Sequence, residues 1–399
     1  MQIITMKRLR IITLLIISLI PQMIPAAEPV KEKARFVYDV DFDMNFDNRE
    51  YYKSDFSKSM TIFGARLTPS VGMEVRTYDG FEHRVMAGID IRRDFGASLI
   101  PSSIPGGETP ETSPDLQHKA LFKEMTLFYR LRRNLGDTKM TMYAGIFPRD
   151  ASEGKYSRAF FSDSLKFYDN NLEGLLIKFR RPKAYFEVGC DWMGQYGDDR
   201  REKFMLFSAG EGKVTPVLSF GYAAYMYHFA GCRTVSGVVD NVLVNPYARL
   251  DFSRLMGLQT FSLRFGWLQA MQNDRRNIGL SIFPYGGEFD IEISHWGIGV
   301  RNSLFYGMDM MPYYNESDAA GIKYGSRLYL GDPFYRIHDD GQSGPGMYDR
   351  LEFFWETYRN RFLIVKVGAL FHFHDFHYSG CQQVVKIGFN LQEHVQRRR

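Results

Sequence analysis

From Phe36 to Phe46 the even positions are apolar (Phe36, Tyr38, Val40, Phe42, Met44, Phe46). The odd positions from 39 onward are acidic or amide (Asp39, Asp41, Asp43, Asn45). A strand sends successive side chains to opposite faces, so the segment predicts a strand with one apolar and one carboxylate face. The pattern recurs along the chain. Phe63, Ala65, Leu67, Val71, Met73 and Val75 alternate with Arg66, Thr68, Ser70, Glu74 and Arg76, and Val85, Ala87, Ile89 and Ile91 with Arg84, Asp90 and Arg92. Met125, Leu127, Tyr129 and Leu131 alternate with Glu124, Thr126, Arg130 and Arg132. Further on, Phe289, Ile291 and Ile293 alternate with Glu288, Asp290 and Glu292, and Val385, Ile387, Phe389 and Leu391 with Lys386, Gly388 and Asn390.

Periodicity and spacing predict 16 strands, starting near 36, 61, 82, 121, 139, 171, 184, 203, 217, 243, 260, 286, 297, 348, 361 and 383. The connections fall into two alternating classes. Those at 78–80, 134–138, 181–183 and 358–361 are short, and those at 47–60, 94–120, 148–170, 231–242 and 307–347 are long. An even strand count with short turns at one end and long loops at the other is the layout of a bacterial outer-membrane barrel. The fold class is therefore all-β, a transmembrane antiparallel β-barrel in the cell outer membrane. A secreted β-sandwich would show the same alternation. Against it, the polar positions are charged on strand after strand while the apolar ones are bulky throughout. A single closed layer with lipid outside and water inside satisfies both faces.

The N-terminus divides the chain. Lys7, Arg8 and Arg10 precede the apolar run Ile11 to Ile20, and Pro21, Pro25, Ala26 and Ala27 break it. That order is a signal peptide over 1–27, leaving 28–399 as the barrel with the long loop 307–347. Removing the three basic residues lowers the formal charge by three, from +4 to +1. The arginines are spread along strands and not gathered in a stripe, so nucleic acid is excluded as a partner. Three cysteines, Cys190, Cys232 and Cys381, are too few for a disulfide scaffold. Cys190 sits at an apolar strand position, while Cys232 and Cys381 fall in loops at one end, where a bond between them is open.

Over the whole mature sequence the chain resembles porin-like Gram-negative outer-membrane barrels, in architecture and not through a diagnostic motif. Lys386-Ile387-Gly388-Phe389-Asn390-Leu391 is similar to part of the C-terminal assembly signal of such barrels, although the chain continues from Gln392 to Arg399. The resemblance implies a channel for passive transport of small polar solutes, with outer-membrane lipids as neighbours, no cofactor and room for a homo-oligomer. The expected pore-lining residues are Asp39, Asp41, Asp43, Arg66, Arg76, Arg84, Arg92, Arg130, Arg132, Arg180, Glu288, Asp290 and Glu292. Opposed acidic and basic walls would set a transverse field. The alternative is that these charges pair across strands and fill the barrel. The loop 307–347, with Tyr313, Tyr314, Tyr324, Tyr329, Phe334 and Tyr335, is read as a packed outer loop with two short strands of its own, Gly325–Leu330 supplying hairpin content. Folding into the lumen is the alternative.

Two other functions stay open beside the channel: a plugged barrel serving assembly, secretion or attachment, and a hydrolase acting on lipid. His372, His374, Asp375 and His377 lie together, with His372 and His374 on one strand face, where they could bind a transition metal. His377-Tyr378-Ser379 resembles the His-x-Ser of an outer-membrane lipid deacylase, which would make His377 the base, with no third triad member placed. G-x-S-x-G, H-E-x-x-H and a phosphate loop are all lacking. The reading taken is that the chain is not an enzyme.

Overall fold

The computed structural model describes residues 34–52, 58–95, 122–276, 279, 281–337, 344–359 and 362–392. The signal peptide expected over 1–27 lies outside them. The strands are β1 (Arg35–Tyr51), β2 (Met60–Arg76), β3 (Glu82–Asp94), β4 (Phe122–Leu135), β5 (Thr138–Pro148), β6 (Asn171–Arg181) and β7 (Ala184–Gly194). They continue with β8 (Lys203–Lys213), β9 (Leu218–Ala230), β10 (Val238–Asp251), β11 (Thr260–Asp274), β12 (Ser281–Ile282) and β13 (Tyr285–His295). The last are β14 (Ile298–Gly307), β15 (Gly346–Arg359), β16 (Leu363–His374) and β17 (His377–Gln392).

Each long strand pairs antiparallel with the next, and β17 returns to β1 with Met44 opposite Ile387. The two-residue β12 only flanks the outer end of β11, which pairs directly with β13. Sixteen long strands therefore close into a barrel with no free edge, so their backbone polar groups are satisfied within the wall. Two strands start earlier than their alternation suggests. β10 begins at Val238 and β17 at His377. Val238-Val239-Asp240-Asn241 has no alternation to read, and a bulge breaks the parity of β17.

The faces divide as the side chains dictate. Val85, Met125, Leu127, Phe220, Phe265, Phe353 and Trp355 are exposed on the outside. The charged set turns inward, where its members pair. Arg84 and Arg130 meet Glu74, and Arg130 and Arg132 meet Glu82, with Arg130 Nη2 2.6 Å from Glu82 Oε1. A closed barrel with this outer apolar surface and charged interior is an outer-membrane protein.

The loop between β14 and β15 does not match the expected outer loop. It turns into the lumen, and its aromatics are buried against the wall. Tyr324 Oη donates to Asp274 (2.7 Å), Tyr329 Oη to Gln272 (2.6 Å) and Tyr335 Oη to Glu288 (2.5 Å). Gly325–Leu328 is a single helical turn instead of hairpin content, and Ser317 with Lys323 makes an isolated bridge. The energetics favour this burial: large rings leave water, and three hydroxyls find carboxylate or amide oxygens on the wall.

The loop 149–170 also turns inward and docks on the first. Ser162 N–H donates to Leu330 O (2.9 Å), and Asp332 N–H to Arg158 O (2.8 Å). Gly331 makes this approach possible, since a Cβ there would lie 2.1 Å from Ala159 O. Gly331→Val is accordingly expected to separate the two loops while leaving the wall intact. Limited proteolysis should then cut within 308–337 several times faster than in the parent, with unchanged heat-modifiability on gels.

A six-residue helix, Asp163–Tyr168, crosses the lumen in the 149–170 loop. Ser162 caps it by accepting from Leu165 N–H (3.0 Å). Burial would raise the Asp163 carboxyl, but Arg158, Lys386 and Arg350 hold it well below the usual range. A depressed carboxylate adds stability that is present above its unfolded pKa and lost as pH falls through the folded one. Docking of this loop should therefore persist from neutral pH down to about pH 4, and loosen only below it. Pepsin cleavage near Asp163 appearing already at mildly acidic pH would contradict that.

Candidate functional site

The outer hairpin of β16 and β17 turns on two residues, Asp375 and Phe376, both with positive φ (46° and 66°). That conformation suits the twist of a two-residue hairpin. The register then slips. Phe373 pairs with Tyr378 and His372 with Gly380, which leaves Ser379 as the extra residue of a bulge. By the parity of Val385, Ile387 and Phe389, Ser379 would face lipid. The bulge turns it inward and Tyr378 outward, while Gln382 faces the lumen.

This local distortion brings a serine hydroxyl onto an imidazole. Ser379 Oγ lies 3.0 Å from His374 Nδ1, and His374 Nε2 lies 3.0 Å from the carbonyl oxygen of Phe334. A carbonyl only accepts, so Nε2 carries the proton and Nδ1 presents its lone pair to the serine hydroxyl. Phe334 sits in the short helix Pro333–Tyr335 of the inward loop, which Asp332 caps through Phe334 N–H (3.2 Å). The loop thus fixes the tautomer of His374. Ser379 and His374 are 8% and 9% exposed, so an edge of the pair stays open.

A second histidine braces the first. His372 Nε2–H donates to Gln382 Oε1 (2.9 Å), and Tyr348 Oη donates to His372 Nδ1 (2.9 Å). Gln382 in turn donates to Asp47 at 3.0 Å. The Phe334 ring stacks on His372 (centroids 4.3 Å, 13°) and on Tyr348 (5.5 Å, 9°). With all four imidazole nitrogens engaged, the two histidines are built into hydrogen bonds and not arranged as metal ligands. Among the described residues no cluster of three or more His, Cys, Asp or Glu side chains is placed to hold a metal.

Of the motif His377-Tyr378-Ser379, the serine meets an inward imidazole and the histidine does not. His377 is exposed, and its Nδ1 bonds the carbonyl of Asp375 (2.8 Å). His374, not His377, lies against Ser379, because the hairpin turn sends His377 outward. Asp375 accepts from Met347 N–H (2.8 Å), tying the turn to β15. Cys381 lies in β17 instead of in a loop, and all three cysteines are free thiols.

Most of the charged strand positions are paired, the largely exposed Arg76 and Arg180 among them. Arg66 Nε is 2.9 Å from Asp90 Oδ1, with both side chains at most 2% exposed. Arg92 pairs with Asp94 (3.7 Å), Arg76 with Glu82 (3.1 Å) and Arg180 with Glu153. Glu288 and Asp290 share Arg264 (2.8 and 2.9 Å), and Glu292 meets Arg301 (2.9 Å). Asp41 accepts from Asn390. Asp39 and Asp43 flank it on the same face of β1, opposite Ser70 and Arg66. Outside β1, each of these charged side chains is thus met by an opposite charge.

The model of the family described as "Lipid A 3'-O-deacylase-type" matches residues 32–262, more than half of the chain. The chain belongs to this family. The reading that it is not an enzyme is thereby corrected, because the family is one of enzymes. The match runs from the start of β1 into β11 and ends before the Ser379–His374 pair. No curated protein matches the chain. Among solved structures, a loop-deleted OmpT of Vibrio cholerae is similar over 90% of this chain and 99% of its own, at 10% identity and a TM-score of 0.51. OpdK of Pseudomonas aeruginosa with vanillate aligns at 10% identity over 90% and 98% of the two chains (TM-score 0.42). OccAB4 of Acinetobacter baumannii aligns at 9% identity over 92% and 100% (TM-score 0.42). OmpT shares the barrel fold and carries nothing about activity.

Proposed function

We propose that the chain is an outer-membrane hydrolase of acyl esters on a membrane glycolipid, with Ser379 as nucleophile and His374 as general base. The 3'-O-acyl ester of lipid A is the substrate that the family description suggests. The observation that carries this reading is the hydrogen-bonded order Ser379 Oγ, His374 Nδ1, His374 Nε2, Phe334 O. A base oriented by a third group and aimed at a hydroxyl is the arrangement by which a serine is activated.

The chemistry follows from the protonation states. His374 Nδ1 takes the Ser379 proton as Oγ attacks the ester carbonyl carbon, and the Phe334 carbonyl stabilises the imidazolium. Collapse of the tetrahedral intermediate breaks the ester C–O bond. His374 returns its proton to the departing alcohol, which leaves an acyl group on Ser379. Water then attacks that acyl group with His374 again as base, releasing the fatty acid. The pair stands at the outer end of the barrel, and the exposed aromatics Phe376 and Tyr378 beside it suit the membrane interface.

A fluorophosphonate probe tests the nucleophile in the folded barrel. Peptide mass spectrometry should place the label on Ser379, with none in His374→Ala. A label on another residue, or none in the folded parent, would set this assignment aside.

A further inference from the structure

Between the loop 149–170 and the wall at β6 and β8 lies a cavity of about 240 Å³. None of its lining residues belongs to the β16–β17 hairpin. Phe161, Leu172, Met205 and Phe207 form its apolar lining, the last three at most 3% exposed. Arg149, Asp150 and Lys166 supply its charged groups. The wall formed by the loop is pinned: the fully buried Glu187 accepts from Ser152 Oγ (2.6 Å), Glu153 N–H (2.7 Å) and Gly154 N–H (2.9 Å). The cavity is thus preformed, as small-molecule sites usually are.

Its charged groups favour an anion. Arg149 is anchored through Nη2 to Asp169 (3.0 Å) and Asp191 (3.2 Å), yet its buried Nη1 has no hydrogen-bond acceptor. The half-exposed Lys166 ammonium has its nearest paired carboxylate, Asp163, at 3.9 Å. Burial pushes the Asp150 carboxyl up, although Lys178 opposes this, and the lining sets two cations, Arg149 and Lys166, against that one carboxyl. A single anionic head over an apolar pocket describes one class of ligand.

We propose that this cavity binds a free medium-chain alkanoate, its carboxylate held by Arg149 and Lys166 and its chain lying against Phe161, Leu172, Met205 and Phe207. An ester is disfavoured because its carbonyl carries no charge to meet the two cations. Since a cavity of about 150 Å³ accepts benzene, about eight to ten carbons fit here. The inference does not depend on the hydrolase reading.

Calorimetry on the full barrel in phospholipid nanodiscs, with acetate, hexanoate, octanoate, dodecanoate and methyl octanoate, tests it. Affinity should rise about fourfold per methylene and stop rising near decanoate length. Methyl octanoate should bind at least tenfold more weakly than octanoate. Lys166→Glu should weaken octanoate at least tenfold, and Met205→Trp should remove binding by filling the pocket. Ser379→Ala should leave it unchanged. Equal octanoate binding in the parent and in Lys166→Glu would overturn the proposal, as would an affinity that keeps rising through dodecanoate, the behaviour of partition into the disc lipid. If Met205→Trp does not fold, Lys166→Glu carries the test alone, because its side chain is half exposed.

Discussion

Ser379→Ala is expected to lower acyl-ester hydrolysis by at least about 10³-fold, with the barrel still folded. The substitution removes the oxygen 3.0 Å from His374 Nδ1 and, within the hairpin turn, only its long 3.5 Å bond to the His377 carbonyl. His374→Ala should produce a loss of the same order, because serine without its base is a poor nucleophile at neutral pH. The two effects should not add, since both residues serve one proton transfer. His377→Ala should stay within about twofold of the parent, as an exposed residue distant from the transfer has little leverage. Initial rates of fatty-acid release in mixed micelles measure all three. A full-rate Ser379→Ala, or a His377→Ala as dead as His374→Ala, would contradict the assignment.

The second large effect falls on stability. Asp90→Ala is expected to cost about 3–5 kcal/mol, because it leaves the Arg66 guanidinium buried beside an empty place. Arg66 Nε and Asp90 Oδ1 are 2.9 Å apart and almost fully buried, although the N–H is not aimed along the contact. Arg66 also donates to the carbonyl oxygens of Phe167 and Tyr168, and Asn171 Nδ2 donates to Asp90 Oδ2 (3.2 Å). Removing the carboxylate therefore disturbs β2, β3, β6 and the lumen helix together. Asp90→Asn keeps a hydrogen-bond acceptor and should cost less. Urea unfolding in lipid vesicles, followed by tryptophan fluorescence, gives both values. A loss below about 1 kcal/mol, the scale of an exposed pair, would show that Arg66 is not isolated from water.

The barrel could be read from the sequence because its two faces meet different solvents. Every second residue of β1, from Phe36 to Phe46, had to be apolar, and the intervening Asp39, Asp41 and Asp43 had to face water or a partner. The lumen loops were harder to read. Tyr329 and Tyr335 are equally at home in an outer loop or inside, and what decides is their acceptors, Gln272 on β11 and Glu288 on β13, far away in sequence. The site was half visible. His372 and His374 share a face by simple parity, whereas Ser379 joins them only because the bulge beside Gly380 reverses the parity of β17. A glycine inside an alternating strand is the one local hint of that reversal. Choosing His374 over His377 needed the positive-φ turn at Asp375 and Phe376 and the carbonyl of Phe334, 40 residues upstream.

Mass spectrometry of lipid A from an outer-membrane vesicle fraction, incubated with the purified barrel, tests the proposed activity most directly. The parent should remove one ester-linked acyl chain, seen as the loss of a single fatty-acyl mass, and Ser379→Ala should leave the lipid intact. Lipid A of unchanged mass after incubation with the folded parent, or equal loss with Ser379→Ala, would contradict hydrolysis at this site.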